Sequence, residues 1–397
     1  MKKKGLSLFL ALALCLTLLP AAAFANGEPE TPTPHTHYLC GNGQACSHVG
    51  GHNETDKTTF ATAIRQDDNG KVWVGGEPEE LPYQCALSKG SYYLATNLIL
   101  ERPITIAEDI TLCLSGNSIT INANENAFEV ICTVSTTGST FTLTDCKNSS
   151  QITHGTTTGG TQYLGNGVNL HQSCNFIMYG GSITGNTTTG GENTTWRSDG
   201  VWVRDNSTFT MYGGSITGNH NSDGGGVWVE NTGSFTMYGG SITGNSVSGS
   251  GGGVFVAAYD GTQGSFAMYG GSITGNNAAS SFGSGGVCVY GTMTVSGSVR
   301  ITDNVNRGSK GDNGIYTDGT ASNVRLVGRT TITIDGPLTE SSRIGVSLYS
   351  NRIFTSGWSK NMSDKTFSSY FAADDSSSTV ALEDGELKLS NPHTHSW

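Results

Sequence analysis

The nonapeptide Met-Tyr-Gly-Gly-Ser-Ile-Thr-Gly-Asn occurs four times without a substitution, at Met178–Asn186, Met211–Asn219, Met237–Asn245 and Met268–Asn276. Segments repeated that faithfully, at offsets of 33, 26 and 31 residues, are structural units that pack against their own copies. The unequal offsets put the tolerated insertions in the Gly/Ser/Thr/Asn-rich spacer after each copy. A second signature travels with the first: Gly200-Val-Trp-Val203, Gly226-Val-Trp-Val229, Gly253-Val-Phe-Val256 and Gly286-Val-Cys-Val289, with looser forms at Gly167-Val-Asn-Leu170 and Gly314-Ile-Tyr-Thr317. Each unit reads as three short β-type runs separated by glycine turns. Nothing has the 3.6-residue apolar spacing of a helix. Three such runs with their turns use about 26 residues at about 3.3 Å each, enough for one triangular coil. The sequence therefore predicts an all-β fold, a right-handed parallel β-helix solenoid of roughly eight coils. A small N-terminal Cys/His module and a C-terminal cap flank it.

Alternation assigns the faces. Phe209 and Met211 face the core, as do Phe176/Met178, Phe235/Met237, Phe266/Met268 and Met293/Val295, and Ile183, Ile216, Ile242 and Ile273 do so in the third run. The Gly-Gly pairs mark corners where a Cβ is penalised. Asn186, Asn219, Asn245, Asn276 and Asn304 are expected to form an asparagine ladder, each in left-handed geometry with its amide bonded along the axis. In the Val-Trp-Val run the valines point in. Trp202, Trp228 and Phe255 then form one outward file, followed by Cys288 and Tyr316. Such a strip suits sugar rings or a protein surface, so Trp202, Trp228, Phe255 and Tyr316 are the candidate ligand-binding residues. The competing reading is that a spacer loop or the N-terminal arm covers the strip.

In chain order, residues 1–25 read as an export signal: Lys2-Lys3-Lys4, an apolar run from Leu6 to Leu19, then Ala23-Phe-Ala25. Its removal takes the net charge from −11 to −14, which argues against nucleic acid or anionic membranes as partners. No membrane span is expected in the mature chain, which is placed outside the cell or on its surface. Residues 26–34 form a linker, 35–90 the Cys/His segment and lead-in, 91–336 the solenoid and 337–389 the cap. Residues 390–397 look like the start of a further module, because Pro392-His-Thr-His395 echoes Pro34-His-Thr-His37.

His35, His37, Cys40, Cys46, His48 and His52 lie within 18 residues and offer enough ligands for a zinc site of mixed Cys/His type. A Cys40–Cys46 disulfide with incidental histidines is the alternative. Outside this segment no cofactor is expected. Cys113, Cys132 and Cys288 sit in strand-like runs and read as small packing residues.

The Gly-Gly-Ser-Ile-Thr-Gly-Asn and Gly-Gly-Gly-Val-Trp-Val units resemble the coils of pectate-lyase-like right-handed β-helix proteins. More narrowly, they are similar to the repeat-rich surface proteins of gut-dwelling Gram-positive bacteria. The resemblance covers about residues 91–334 and implies adhesion or matrix building, with a carbohydrate or protein ligand on a cell surface or matrix. Enzymes occur on the same scaffold, so a polysaccharide lyase or glycoside hydrolase is the alternative. A catalytic pair needs carboxylates roughly 5–9.5 Å apart. Asp205 and Glu230 are the nearest candidates, out of strict register, and no catalytic constellation is recognisable. A rigid spacer is the third reading.

Overall fold

A computed structural model describes residues 34–39, 57–75, 77–78, 85–125, 127–130, 138–187, 200–259, 261–281, 283–348 and 350–390. The export signal and the C-terminal His-Thr-His lie outside the described residues.

Alternation places the side chains as the repeat demands. Phe209 and Met211 are fully buried, whereas Thr210 between them is not. In parallel register Phe176, Phe209, Phe235 and Phe266 lie side by side. So do Ile183, Ile216, Ile242 and Ile273, and Val201, Val227, Val254 and Val287. The three runs thus build three parallel ladders around one continuous core, which is a parallel β-helix. Phenylalanine rings stack along its inside from Phe128 through Phe141 to Phe266 at centroid spacings of 4.7–5.3 Å. Burying each contributes about 1.5–3 kcal/mol.

The parallel pairing reaches further than the repeat. Upstream it begins at Thr62–Gln66, with Thr62 beside Tyr92. Downstream it passes through Arg343–Ser347 to Phe371–Ala373, inside the segment expected to be the cap. The closing element is a three-stranded antiparallel sheet of Arg352–Ile353, Thr379–Glu383 and Glu386–Ser390. The spacers also carry a short fourth ladder, His220–Asn221, Ser246–Val247, Asn277–Ala278 and Val305–Asn306. Two-residue strands in glycine-rich sequence leave no apolar period to read.

The asparagine ladder forms, but its backbone geometry differs from expectation. The left-handed residue is the glycine before each asparagine, Gly185, Gly218, Gly244 and Gly275 at φ of 64–65°, with Asp303 at 60° before Asn304. The asparagines themselves are fully buried, which amide pairing alone makes tolerable. Asn186 Nδ2 donates to Asn219 Oδ1 at 2.8 Å, Asn219 to Asn245 at 2.9 Å, Asn245 to Asn276 at 3.0 Å and Asn276 to Asn304 at 2.9 Å. Each receiving oxygen also accepts the backbone N–H of the preceding asparagine, at 3.0–3.1 Å. The chain runs on through Asn323 to the carboxylate of Asp374.

Asn245→Ala would leave two donors of Asn219 buried without an acceptor, at about 1–3 kcal/mol per group. A loss of about 3 kcal/mol or more is expected in urea unfolding, against about 0.5 kcal/mol or less for the outward Thr210→Ala. Similar midpoints for the two variants would contradict the energetic role of the ladder.

Candidate functional site

Two features were candidates for chemistry, the His/Cys segment and the outward aromatic file. The His-Thr-His strand, His35–Tyr38, pairs antiparallel with Lys57–Phe60. Alternation turns His35 and His37 to one side, against Phe60, whose ring stacks on His37 at 4.6 Å and on His35 at 5.4 Å. Across from them the solenoid presents Cys113, at the end of the strand Ile110–Cys113, and Cys146, in the turn after Thr140–Thr144 of the next coil. One ligand atom from each of His35, His37, Cys113 and Cys146 lies within 4.8 Å of all the others, so these four residues could hold a metal ion.

The arrangement suits that role in detail. Cys113 Sγ is 3.6 Å from Cys146 Sγ and 3.2 Å from His37 Nε2. His37 Nδ1 lies 2.5 Å from the Tyr38 carbonyl, so it carries the proton and leaves the Nε2 lone pair facing the sulfurs. Ser115 Oγ reaches both Cys113 Sγ, at 3.3 Å, and His35 Nε2, at 3.4 Å. A hydrogen bond joins the two sulfurs. Hydrogen bonding from Cys146 lowers Cys113 to about 7, and the resulting thiolate pushes Cys146 up to about 12. Burial lowers His35. At His37 the effect of burial is outweighed by the Cys146 sulfur and the Tyr38 carbonyl, which raise it. A cation among these groups would replace the proton of that hydrogen bond.

Of the six expected ligands, the structure brings His35 and His37 to the site, whereas Cys40, Cys46, His48 and His52 lie outside the described residues. Cys113 is a correction: it faces a second thiol and two imidazoles and does not merely fill space. The signal was present in the sequence. Cys113 and Cys146 are 33 residues apart, close to one coil: the register pairs Cys113 with Thr144 on the next coil, two positions before Cys146.

The aromatic file also forms, as a cluster separate from the main core. Trp202 lies beside Trp228, Trp228 beside Phe255 and Phe255 beside Cys288. It is closed, however: Trp202 is 9 % exposed, Trp228 2 % and Phe255 6 %. Arg204 stacks on the Trp202 ring at 4.1 Å, and the indole N–H donates to Glu230 Oε1 at 3.0 Å. The spacer passes so close over Phe255 that a Cβ on Gly251 would lie 2.8 Å from Phe255 Cβ. Over Trp202 the cover comes from the strand-end residues Arg204 and Glu230, and at Phe255 the spacer residue Gly251 lies close. Tyr316 does not follow Cys288; Arg325 does. Tyr316 sits in a hairpin opposite Lys310, because residues 309–317 leave the coil before the next strand begins at Val324. The aromatics left open beside the file are Tyr259 and Tyr290, each 42 % exposed, with Tyr290 at 5.6 Å from Phe255.

Asp205 and Glu230, weighed above as a catalytic pair, each have their own engagement. Glu230 is committed to Trp202, and Asp205 occupies a left-handed turn position 3.9 Å from Arg204. Among the described residues no helix is long and apolar enough to cross a membrane. No family model, no curated protein and no solved structure matches this chain.

Asp145 fixes the turn that carries Cys146. Its carboxylate accepts N–H bonds from Gly116, Lys147, Ser149 and Ser150 at 2.8–3.2 Å. Burial opposes the charge, yet the backbone donors win and hold the carboxyl below 3.8. A depressed aspartate stabilises the fold above its unfolded pKa and loses that contribution as pH falls through the folded value. Asp145→Asn should therefore be less stable than wild type at pH 7, with the gap closing as pH falls through the depressed folded pKa of Asp145. Thermal unfolding across that range would decide it; a gap that persists in acid would exclude the carboxylate charge as the cause.

Proposed function

We propose that this chain is an exported, non-catalytic β-helix that acts as a rigid scaffold on a bacterial cell surface or in its matrix, with its N-terminal strand pinned by zinc. The observation that carries the scaffold reading is the closed aromatic file. The largest candidate ligand platform is occupied by the protein's own spacers, Arg204 and Glu230, and the ladders inside serve rigidity along the axis. The resemblance to repeat-rich surface proteins supports the same non-enzymatic class, and the two acids weighed as a catalytic pair are engaged in a turn and in indole bonding.

Zinc is the ion whose preferences fit the His35, His37, Cys113 and Cys146 donors. A tetrahedral ion with Zn–S of about 2.3 Å and Zn–N of about 2.0–2.1 Å requires S···S of about 3.8 Å and N···S of about 3.6 Å. The separations of 3.6 and 3.2 Å lie within a few tenths of these. Elemental analysis of the purified chain should give about one zinc per chain, lost in Cys113→Ser/Cys146→Ser. Wild type without zinc after exposure to zinc salts would end that assignment.

A second reading, adhesion, is favoured by Tyr259 and Tyr290, open aromatic faces at the edge of the closed file. A glycan array run beside a reducing-end and unsaturated-product assay on acidic polysaccharides separates the possibilities. The scaffold reading expects neither retention nor product. Retention abolished by Tyr259→Ala/Tyr290→Ala would transfer the reading to adhesion, and product formation would overturn both.

A further inference from the structure

Resting on the zinc reading, we infer that the His–Cys site is a redox-gated clasp: oxidation joins Cys113 to Cys146, expels the metal and loosens the N-terminal strand from the solenoid. The observations concern what holds that strand. Among the described residues His35–Tyr38 hydrogen-bonds in sheet fashion only to Lys57–Phe60, not to any solenoid strand. Its link to the coils is made by side chains: the His35 ring against Tyr93, Ser115 Oγ beside His35 Nε2, the His–Cys group, and Thr144 Oγ1 donating to the Leu39 carbonyl. A metal at the group would tie two coils and the strand together. Without it the imidazoles have only stacking contacts and single hydrogen bonds.

The two sulfurs make that tie reversible. Both are free thiols on neighbouring coils, 3.6 Å apart, and closing to a disulfide needs about 1.5 Å of approach. Cys146 is half-buried and reachable, whereas Cys113 is fully buried behind it. With hydrogen peroxide as oxidant the step balances. In the zinc-loaded site both sulfurs are held as thiolates; that of Cys146 attacks one peroxide oxygen, the O–O bond breaks, and the sulfenic acid and a hydroxide form. Cys113 thiolate then attacks that sulfur and expels a second hydroxide. Two electrons leave the sulfurs, two solvent protons convert the hydroxides to water, and the ion loses both thiolate ligands. A dithiol reductant reverses the step by thiol–disulfide exchange. Cys288 is an internal control: burial pushes its thiol up to about 11 and it has no thiol neighbour among the described residues.

The test uses the full chain, reduced and loaded with zinc, then titrated with hydrogen peroxide in the presence of a chromogenic zinc chelator. Peptide mapping follows the thiols, and limited proteolysis follows the N-terminal strand. The expected result is one zinc released per Cys113–Cys146 link, cleavage within the strand His35–Tyr38 rising several-fold, and zinc uptake restored by dithiothreitol. Cys288→Ser should behave as wild type. Zinc release without the link, or the link without a change in N-terminal cleavage, would overturn the gated clasp while leaving the zinc assignment standing. A reduced chain that takes up no zinc would overturn both.

Discussion

Hydrogen bonding along the solenoid axis is the constraint on which the rest depends. Every coil buries backbone and amide groups that no water can reach, so each must be answered by the coil above or below. That requirement selects in-register stacking of like on like. A side chain that satisfies its neighbour's needs once satisfies them in every coil, and one nonapeptide can be reused unchanged. The phenylalanine, isoleucine and valine files follow from the same register and supply the apolar burial. The spacers are free to vary in length because only their ends must meet the ladders.

The fold was legible because its rule is local. Period-two alternation in Phe-Thr-Met and Ser-Ile-Thr gives the faces, and the exact repeat gives the stacking. What escaped depended on geometry that a linear pattern does not carry. The asparagines were assigned the left-handed turn position as well as the ladder, yet they carry no positive φ, and the preceding residue, glycine in the four exact copies, takes the turn. Tyr316 was placed in the aromatic file on its Gly-Ile-Tyr motif, but the hairpin it belongs to stands outside the coil and Arg325 fills the position. The file's outward direction was correct, and its accessibility was not readable. Exposure depends on Gly251, Arg204 and Glu230, which come from spacers and strand ends.

The His–Cys group illustrates the same limit. Local spacing found the two histidines and grouped them with nearby cysteines, since sequence proximity is the usual guide to a zinc site. In a solenoid, proximity is measured in coils: Cys113 pairs with Thr144 on the next coil, and Cys146 lies two residues beyond it. His37 meets Cys113, 76 positions away, because the strand docks on the first coils as a side-chain cover. Asp145 then takes on a positioning role that no motif announces, holding the turn from which Cys146 projects.

The asparagine ladder has a direction, and direction has a consequence at each end. Every Nδ2 donates toward the C-terminal coil, so the first oxygen needs a donor that is not an asparagine and the last amide needs an acceptor that is not one. His154 meets the first demand, its Nδ1 2.8 Å from Asn186 Oδ1. Asp374 meets the second, its carboxylate accepting both N–H groups of Asn323 together with Ser347 Oγ. Burial pushes that carboxyl up while these donors draw it down, and burial prevails. A run of identical units could not close itself: another nonapeptide added at either end would leave a buried amide unanswered. The degenerate coils that bound the repeat are therefore the condition for the regular ones, and their departures from the consensus fall where the polarity of the ladder requires a different side chain.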